Sequence, residues 1–352
     1  MRTAVGIGNA YYDGKPFEET VAFAQAADRA GVDFAWSAEA WGMETIVPLA
    51  YLAAVTDNIR LGTGIIQISA RVPAMTAMTA ATMAMVSGDR FVLGFGVSGP
   101  QVVEGLHGAS FSQPLSRLKE YVAIVKMALA GEKIQFEGKH YVLPRPGGEG
   151  KPLRLSTPPK PDLPIYLATL GPASLEFTGA VADGWLGTSF VPEHADIFLD
   201  PIARGAESAG RSLADIDIQV GGTIEIDDDV EAVIDRHRPA MAFVLGAMGS
   251  AKTNFYNAAF MRAGFEKAAV EVQGLWVSGN REAATAAVPD ELVLAANLIG
   301  DEAMVRERIR AYHQAGVNTL RLGVRGRELD ERIANLEHAV ELVHQETKAS
   351  AA

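Results

Sequence analysis

The sequence predicts an α/β protein: a closed (β/α)8 TIM barrel with inserted loops, folded as one domain over residues 1–352. Three observations carry this. Eight short apolar runs of strand length alternate with helical stretches along the chain. Strict β-then-α order implies a parallel sheet with its helices outside, and eight such units close a barrel. Of the 352 residues, 48% are hydrophobic and 21% charged, which suits a soluble protein with a large core and excludes a disordered chain.

The units follow in order. Ala4 to Gly8 reads as the first strand. Pro16 opens a helix where its missing N–H costs nothing, Glu18 and Glu19 suit the positive end of the dipole, and Gly31 ends it. Val32 to Trp36 is the second strand, and a helix from Thr45 to Thr56 leads to the third, Arg60 to Ile66. The uncharged stretch Val72 to Gly88 falls just short of a membrane span and is diluted by Thr76, Thr79, Thr82 and Ser87, so it reads as a buried helix opened by Pro73. Strand four is Phe91 to Gly96, followed by a helix from about Gln113 to Ala130. Ile165 to Ala168, Gly184 to Thr188, Ile216 to Gly222 and Thr319 to Val324 complete the eight. Helices are expected at Pro172 to Val181, Pro192 to Ala209 and Asp330 to Gln345, the last with Ile333, Leu336, Val340 and Val343 on one face. Two helix-to-strand junctions echo each other, Ala30-Gly31-Val32 and Ala315-Gly316-Val317.

Two segments break the rhythm. One spans about 133–161 and contains a hairpin around Glu137-Gly138-Lys139; the other, about 229–289, is mostly helical and follows the seventh strand. Both read as insertions in barrel loops.

Charge and composition narrow the function. A net charge of −12 repels nucleic acid and anionic membranes, so neither is expected as a partner. With no cysteine there is no disulfide, Cys-ligated metal or thiol nucleophile, which fits the cytoplasm. Met1 to Tyr12 has one Arg and no long apolar stretch, unlike a signal peptide. No pair of the seven histidines has the spacing of a helical metal site, and no metal is expected. Nucleophile elbow, P-loop and HExxH motifs are all missing.

Several motifs could carry chemistry. Gly94-Phe-Gly96-Val-Ser-Gly99 matches GxGxxG after a strand, but the clear helix begins only near Gln113, so a Rossmann dinucleotide site is rejected. A ligand-facing loop and a packing turn remain open there. Leu170-Gly171-Pro172 is either a phosphate-holding helix N-terminus or an ordinary βα turn. Gly62 and Gly64 in strand three mark a bulge, a close backbone approach or simple crowding. Glu39, between Trp36 and Trp41, is an acid–base candidate or a solvated carboxylate, and Glu104 poses the same choice. His107 is the one histidine placed near a strand end. Residues 133–160 carry six cations against two carboxylates, a local +4 that leaves −16 on the rest; this is a polyanion site or a solvated loop.

Two stretches together are specific: Leu61-Gly-Thr-Gly-Ile-Ile-Gln-Ile-Ser-Ala-Arg-Val-Pro-Ala-Met-Thr-Ala-Met-Thr-Ala and Gly96-Val-Ser-Gly-Pro-Gln-Val-Val-Glu-Gly-Leu-His-Gly. Ala182-Asp-Gly-Trp and Asn254-Phe-Tyr-Asn support them. The chain resembles the bacterial luciferase-like superfamily over nearly its whole length, and within it the oxidoreductases dependent on the deazaflavin coenzyme F420. The resemblance implies a luciferase-like barrel, a homodimer, and hydride transfer between the deazaflavin C5 and a small organic substrate. It implies a non-prolyl cis peptide at Gly64–Ile65 behind the ring, Gln67 beside it, cofactor contacts from Ser98 and Gly99, and phosphate contacts from Leu170 and Gly171. Trp41 would shape the substrate pocket. The basic segment becomes a candidate for the cofactor's anionic tail.

There are departures. Sugar-phosphate dehydrogenases and methylene-pterin reductases of this branch carry Asp-His after strand two, where this chain has Ala38-Glu39. The sugar-phosphate enzymes follow the Ser/Thr-Gly pair with glutamate, where this chain has Pro100. Neither reaction transfers. Glu39 is the expected proton donor or acceptor, with His107 and Glu104 as weaker candidates. The alternatives are an FMN-dependent monooxygenase on the same fold and a non-catalytic flavin- or deazaflavin-binding barrel.

Overall fold

The computed structural model describes residues 1–8, 13–249 and 253–349. Asn9 to Tyr12, the end of the N-terminal stretch, and Ser250 to Lys252, within the second insertion, lie outside the described residues.

Alternation of apolar runs and helices produces the expected barrel. In chain order its elements are β1 (Arg2–Gly6), α1 (Phe17–Arg29), β2 (Phe34–Ser37), α2 (Ile46–Ala53), β3 (Arg60–Thr63), β4 (Ile66–Gln67), α3 (Pro73–Val86) and β5 (Phe91–Gly96). Next come α4 (Pro100–Gly105), α5 (Pro114–Leu129), the hairpin β6 (Phe136–Glu137) and β7 (Val142–Leu143), β8 (Ile165–Ala168), α6 (Pro172–Val181), β9 (Gly184–Leu186) and α7 (Asp196–Ser208). The chain ends with β10 (Asp217–Ile226), α8 (Val230–Gly246), α9 (Phe255–Phe260), α10 (Glu266–Val277), α11 (Arg281–Ala286), α12 (Asp290–Ala296), β11 (Leu298–Gly300), α13 (Glu302–Gln314), β12 (Thr319–Val324) and α14 (Leu329–Ala349). Eight parallel strands close the ring in the order β1-β2-β3-β5-β8-β9-β10-β12, and β12 pairs back onto β1. No described helix is long and apolar enough to cross a membrane.

Strand alternation sorts the side chains. Val5, Ala35, Leu61, Phe91, Ile165 and Leu320 point outward into the layer beneath the helices. Ala4, Phe34, Trp36, Val92, Tyr166 and Leu186 fill the lumen. Trp36 stacks on Phe34 with ring centroids 5.7 Å apart and lies 5.6 Å from the Tyr166 ring. Its indole N–H donates to Gln219 Oε1 at 3.0 Å, and the Tyr166 hydroxyl donates to Asp217 at 2.7 Å. The lower lumen is therefore packed, with its polar atoms paired, and ligands are confined to the mouth. Gly62 is a matter of crowding: a Cβ there would sit 2.2 Å from the Trp36 ring.

Some expectations are corrected. A short helix, α4, does open directly at Pro100 after the glycine turn, although the barrel topology still excludes a Rossmann site. The helix α3 is not buried all round; Met75, Met78 and Met85 are exposed because only one of its faces meets the barrel. The short strand β11, which extends the sheet beyond β10, and the helix α13 gave no distinct signal.

Candidate active site at the barrel mouth

Loops at the C-terminal ends of the strands enclose a cavity of about 900 Å³. Its wall is mostly apolar: Ile65, Val97, Leu118 and Leu186 are typical. Glu39 is the one carboxylate on it among the described residues.

The β2–α2 loop is tied to the strand-three bulge. Glu39 N–H donates to Ile65 O at 3.0 Å, and the Gln67 side chain donates to Ala40 O at 2.9 Å. The Gly64–Ile65 peptide is cis, and Ile65 lies on the cavity wall. A Cβ on Gly96 would come within 2.9 Å of Ile65 Cδ1 and 3.1 Å of Ala168 O, so glycine there lets β5 pass beneath the bulge. Ser98, at φ 60°, adopts a left-handed turn that swings the chain from β5 into α4. Gly99 and Gly171 are the N-cap residues of α4 and α6, and both line the cavity.

The second insertion forms the roof, with Phe243, Met248, Phe255 and Tyr256 over the cavity. Two buried asparagines hold it in place. Asn254 caps α9 by accepting from Asn257 N–H at 3.0 Å, and its own amide donates to Leu245 O at 2.9 Å. Asn257 donates to Leu245 O and Ala269 O at 3.0 and 2.8 Å. Satisfied in this way, the pair fixes Phe255 and Tyr256 between them. Arg262 closes the ring by donating to Leu170 O at 2.8 Å.

Electrostatics separate two carboxylates. Arg71 bonds Glu39 at 2.6 Å and also pairs with Glu44. Burial drives the Glu39 pKa upward, beyond what the Arg71 charge and the Gln67 N–H pull back, and the Glu44 charge adds to the rise. Burial also acts upward on Glu44, but hydrogen bonds from Val47 and Ile46 N–H and from Arg71 outweigh it, so its pKa falls. With one cation shared between them, the two carboxylates are pushed in opposite directions, Glu44 below and Glu39 above the ordinary glutamate value.

The chain matches the family Luciferase-like monooxygenase over residues 2–319. It belongs to this family. A putative coenzyme F420-dependent oxidoreductase of Mycobacterium tuberculosis is 37% identical over 90% of this chain and 93% of that protein. The coenzyme F420-dependent tetrahydromethanopterin reductase of Methanopyrus kandleri shares the fold at TM-score 0.75 and 24% identity, over 98% of this chain and 97% of that one. The oxygenating constituent of 3,6-diketocamphane monooxygenase of Pseudomonas putida, solved with FMN, shares it at TM-score 0.67 and 17% identity, over 98% and 97%.

In this luciferase-like chain, Glu39, Trp41, Ile65, Ser98, Gly99, Leu170 and Gly171 meet on one cavity. Gly64 and Gln67 stand off its wall: Gln67 is 2% exposed and spends its amide on the loop below. His107 and Glu104 are not brought to the site. On α4, Val102 and Gly105 turn to the cavity and Val103 to the core, which leaves Glu104 exposed, where it accepts from Phe111 N–H at 3.2 Å; His107 is exposed in the turn after the helix. No cation of the basic segment lines the cavity either, and Lys160 pairs with Asp89 at 2.5 Å. Sequence reasoning missed Arg71, Glu44 and Tyr256. Arg71 lies inside the stretch Leu61 to Ala80 and Tyr256 inside Asn254-Phe-Tyr-Asn, while Glu44 follows Glu39 in the same β2–α2 loop. Their signal was position above neighbouring strand ends.

Proposed function

We propose that the protein is an F420-dependent oxidoreductase that transfers a hydride between the deazaflavin C5 and a small organic substrate. The observation that carries this reading is a ring-sized apolar cavity of about 900 Å³ with Glu39 as its one carboxylate. Ligand cavities run to roughly 300–1,000 Å³, so a tricyclic ring and a small substrate fit together. The residues present suit such a group. Ile65, Val97 and Leu186 would bound the ring, and the turns at Ser98-Gly99 and Leu170-Gly171 would meet a phosphate with backbone N–H groups at helix N-termini.

When bound, the cofactor supplies the hydride chemistry; the chain supplies orientation, a dry wall and proton management. Gln67 positions the Glu39 loop through its bond to Ala40 O. Glu39 holds the proton near the ring face. Because its folded pKa is raised, it stays protonated to higher pH than an ordinary glutamate. Activity that uses it as an acid falls as pH rises through that value. Glu39→Gln should lower hydride transfer by roughly 10²–10⁴-fold and flatten this pH dependence; an unchanged rate and profile would remove Glu39 from the role.

Titration of the full chain with F420 and with FMN, followed by fluorescence, tests the cofactor. Micromolar F420 binding without FMN binding supports the reading. FMN binding alone, with oxygen consumption in the presence of a flavin reductase, would favour the monooxygenase, whose fold holds FMN in the Pseudomonas putida protein. Binding without turnover across a substrate panel would favour a non-catalytic barrel.

We further propose that two copies of the chain pair through the exposed apolar faces of α2 and α3. Val47, Tyr51, Met75, Met78 and Met85 form them. A face of this kind is unusual on a monomer. Light scattering should give twice the chain mass, and Met78→Glu should shift it to one.

A further inference from the structure

Alternation along β12 points Thr319, Arg321 and Gly323 into the lumen. Thr319 Oγ1 donates to Asp217 at 3.0 Å within the packed lower layer. One layer higher, Arg321 is flanked in register by Ala4 of β1 and Gly221 of β10. Ala4 is too small to fill the lumen, and glycine at 221 lets β10 pass close to β12, since a Cβ there would sit 1.9 Å from Arg321 O. Above it Gly6 and Gly323 are exposed, and a Cβ on Gly6 would meet nothing within 4 Å. Arg321 is not itself on the cavity wall, but the carbonyl it reaches, Gly187 O, lies between the wall residues Leu186 and Thr188.

Arg321 is poorly partnered for a charge so placed. Its Nη1 donates to Gly187 O at 3.2 Å, and among the described residues it has no carboxylate partner. Arg90, which feels the Asp28 charge but forms no salt bridge among the described residues, shows how a structural arginine is satisfied: it is wrapped by the carbonyls of Ala53, Thr56, Ile59 and Ser87 and by the Thr56 hydroxyl. The neighbour that acts on Arg321 is Tyr256, on the cavity roof. Burial lowers the arginine's pKa and raises the tyrosine's, yet a guanidinium does not give up its proton in a protein. By accessible surface Arg321 is half-buried, and a cation so placed with one carbonyl for company leaves its outer N–H groups free for an anion.

We propose that Arg321 recognises the substrate, which carries an anionic oxygen group, a carboxylate being the match for the planar guanidinium fork. Tyr256 donates a second hydrogen bond to the same group from above. This rests on the cavity being the substrate site of the proposed oxidoreductase, and it narrows that substrate to small organic acids. The rest of the cavity wall, largely apolar, holds the body of such a molecule. Tetrahedral phosphate esters share the charge but not the planar geometry.

Calorimetric titration of the full chain, with and without F420, would use benzoate against benzamide, hexanoate against hexanamide, and inorganic phosphate. We expect an acid to bind more tightly than its amide by about tenfold or more, and to raise the melting temperature. Arg321→Met should abolish that preference, Arg321→Lys should retain part of it, and Tyr256→Phe should weaken it by about threefold. Arg321→Met without ligand should melt close to the native chain, since it removes a half-buried charge that has no carboxylate partner among the described residues. Acids and amides binding alike, or Arg321→Met leaving the preference intact, would overturn the proposal. Phosphate binding that is lost in Arg321→Met, without acid binding, would overturn the carboxylate assignment. Acid preference that persists when F420 fails to bind would uphold Arg321 and sink the cofactor reading instead.

Discussion

Two insertions interrupt the same barrel, and only one of them reaches the site. The segment 133–161 carries the charge that invited a ligand, yet none of its residues is buried and none lines the cavity. The segment 229–289 carries no such charge signal, yet it forms the roof over a core of its own that includes Val233, Leu245, Phe260 and Val272. The difference lies in apolar content. An insertion that can bury its own side chains holds a fixed position over the mouth; one that cannot lies along the outside of the barrel, here against α5.

The largest effect that would break this comparison concerns Phe260, which is 2% exposed in the roof's core. Phe260→Ala should cost about 3–5 kcal/mol, read by urea unfolding, and should loosen ligand binding beneath. Val142→Ala in the hairpin, where the side chain is 39% exposed, should cost under about 0.5 kcal/mol. Equal costs would mean that the roof is no more packed than the hairpin.

The same contrast explains what could be read from the sequence. All eight barrel strands were legible because each contains a short apolar run, most of them next to glycine or proline, and the parallel order followed from their alternation with helices. The turns at Ser98-Gly99 and Leu170-Gly171 were legible because a strand end followed by glycine and proline is a local pattern. Arg71, Glu44 and Arg321 were not, since their roles depend on which strands become neighbours and which side chains leave room. Glu104 and His107 stand off the cavity for a related reason: nearness in sequence to a strand end does not fix which way a residue faces, in α4 or in the turn that follows it.

The hairpin has a different anchor, and its effect is intermediate. Glu120 on α5 accepts from the backbone N–H groups of Lys139, His140 and Tyr141 at 2.8, 2.8 and 3.0 Å. Burial pushes its pKa up, but these three bonds outweigh burial and hold it below the ordinary value. A depressed carboxylate contributes stability above its unfolded pKa and loses it as pH falls through the folded one. Hydrogen exchange at residues 139–141 should therefore gain protection as the carboxylate ionises and lose it in acid, after correction for intrinsic rates. Glu120→Gln should remove that pH dependence and cost about 1 kcal/mol locally, leaving ligand binding at the mouth unchanged. Loss of binding in that variant would show that the hairpin is coupled to the site after all.

The smallest effect sharpens the comparison most. Lys139, Arg145, Lys151 and Arg154 are exposed and off the cavity wall. Exposed charges act at a distance that salt screens within about 8–10 Å. Replacing all four by alanine should change F420 affinity by no more than about twofold at physiological salt, with the change confined to the association rate. A polyanionic tail seated on these cations would behave differently: dissociation would speed up, and affinity would fall steeply with added salt in the native chain but not in the variant. Fluorescence-monitored association and dissociation at two ionic strengths separates the cases. An effect on dissociation would restore the basic segment as a tail site outside the mouth, with the roof and the hairpin then gripping opposite ends of one cofactor.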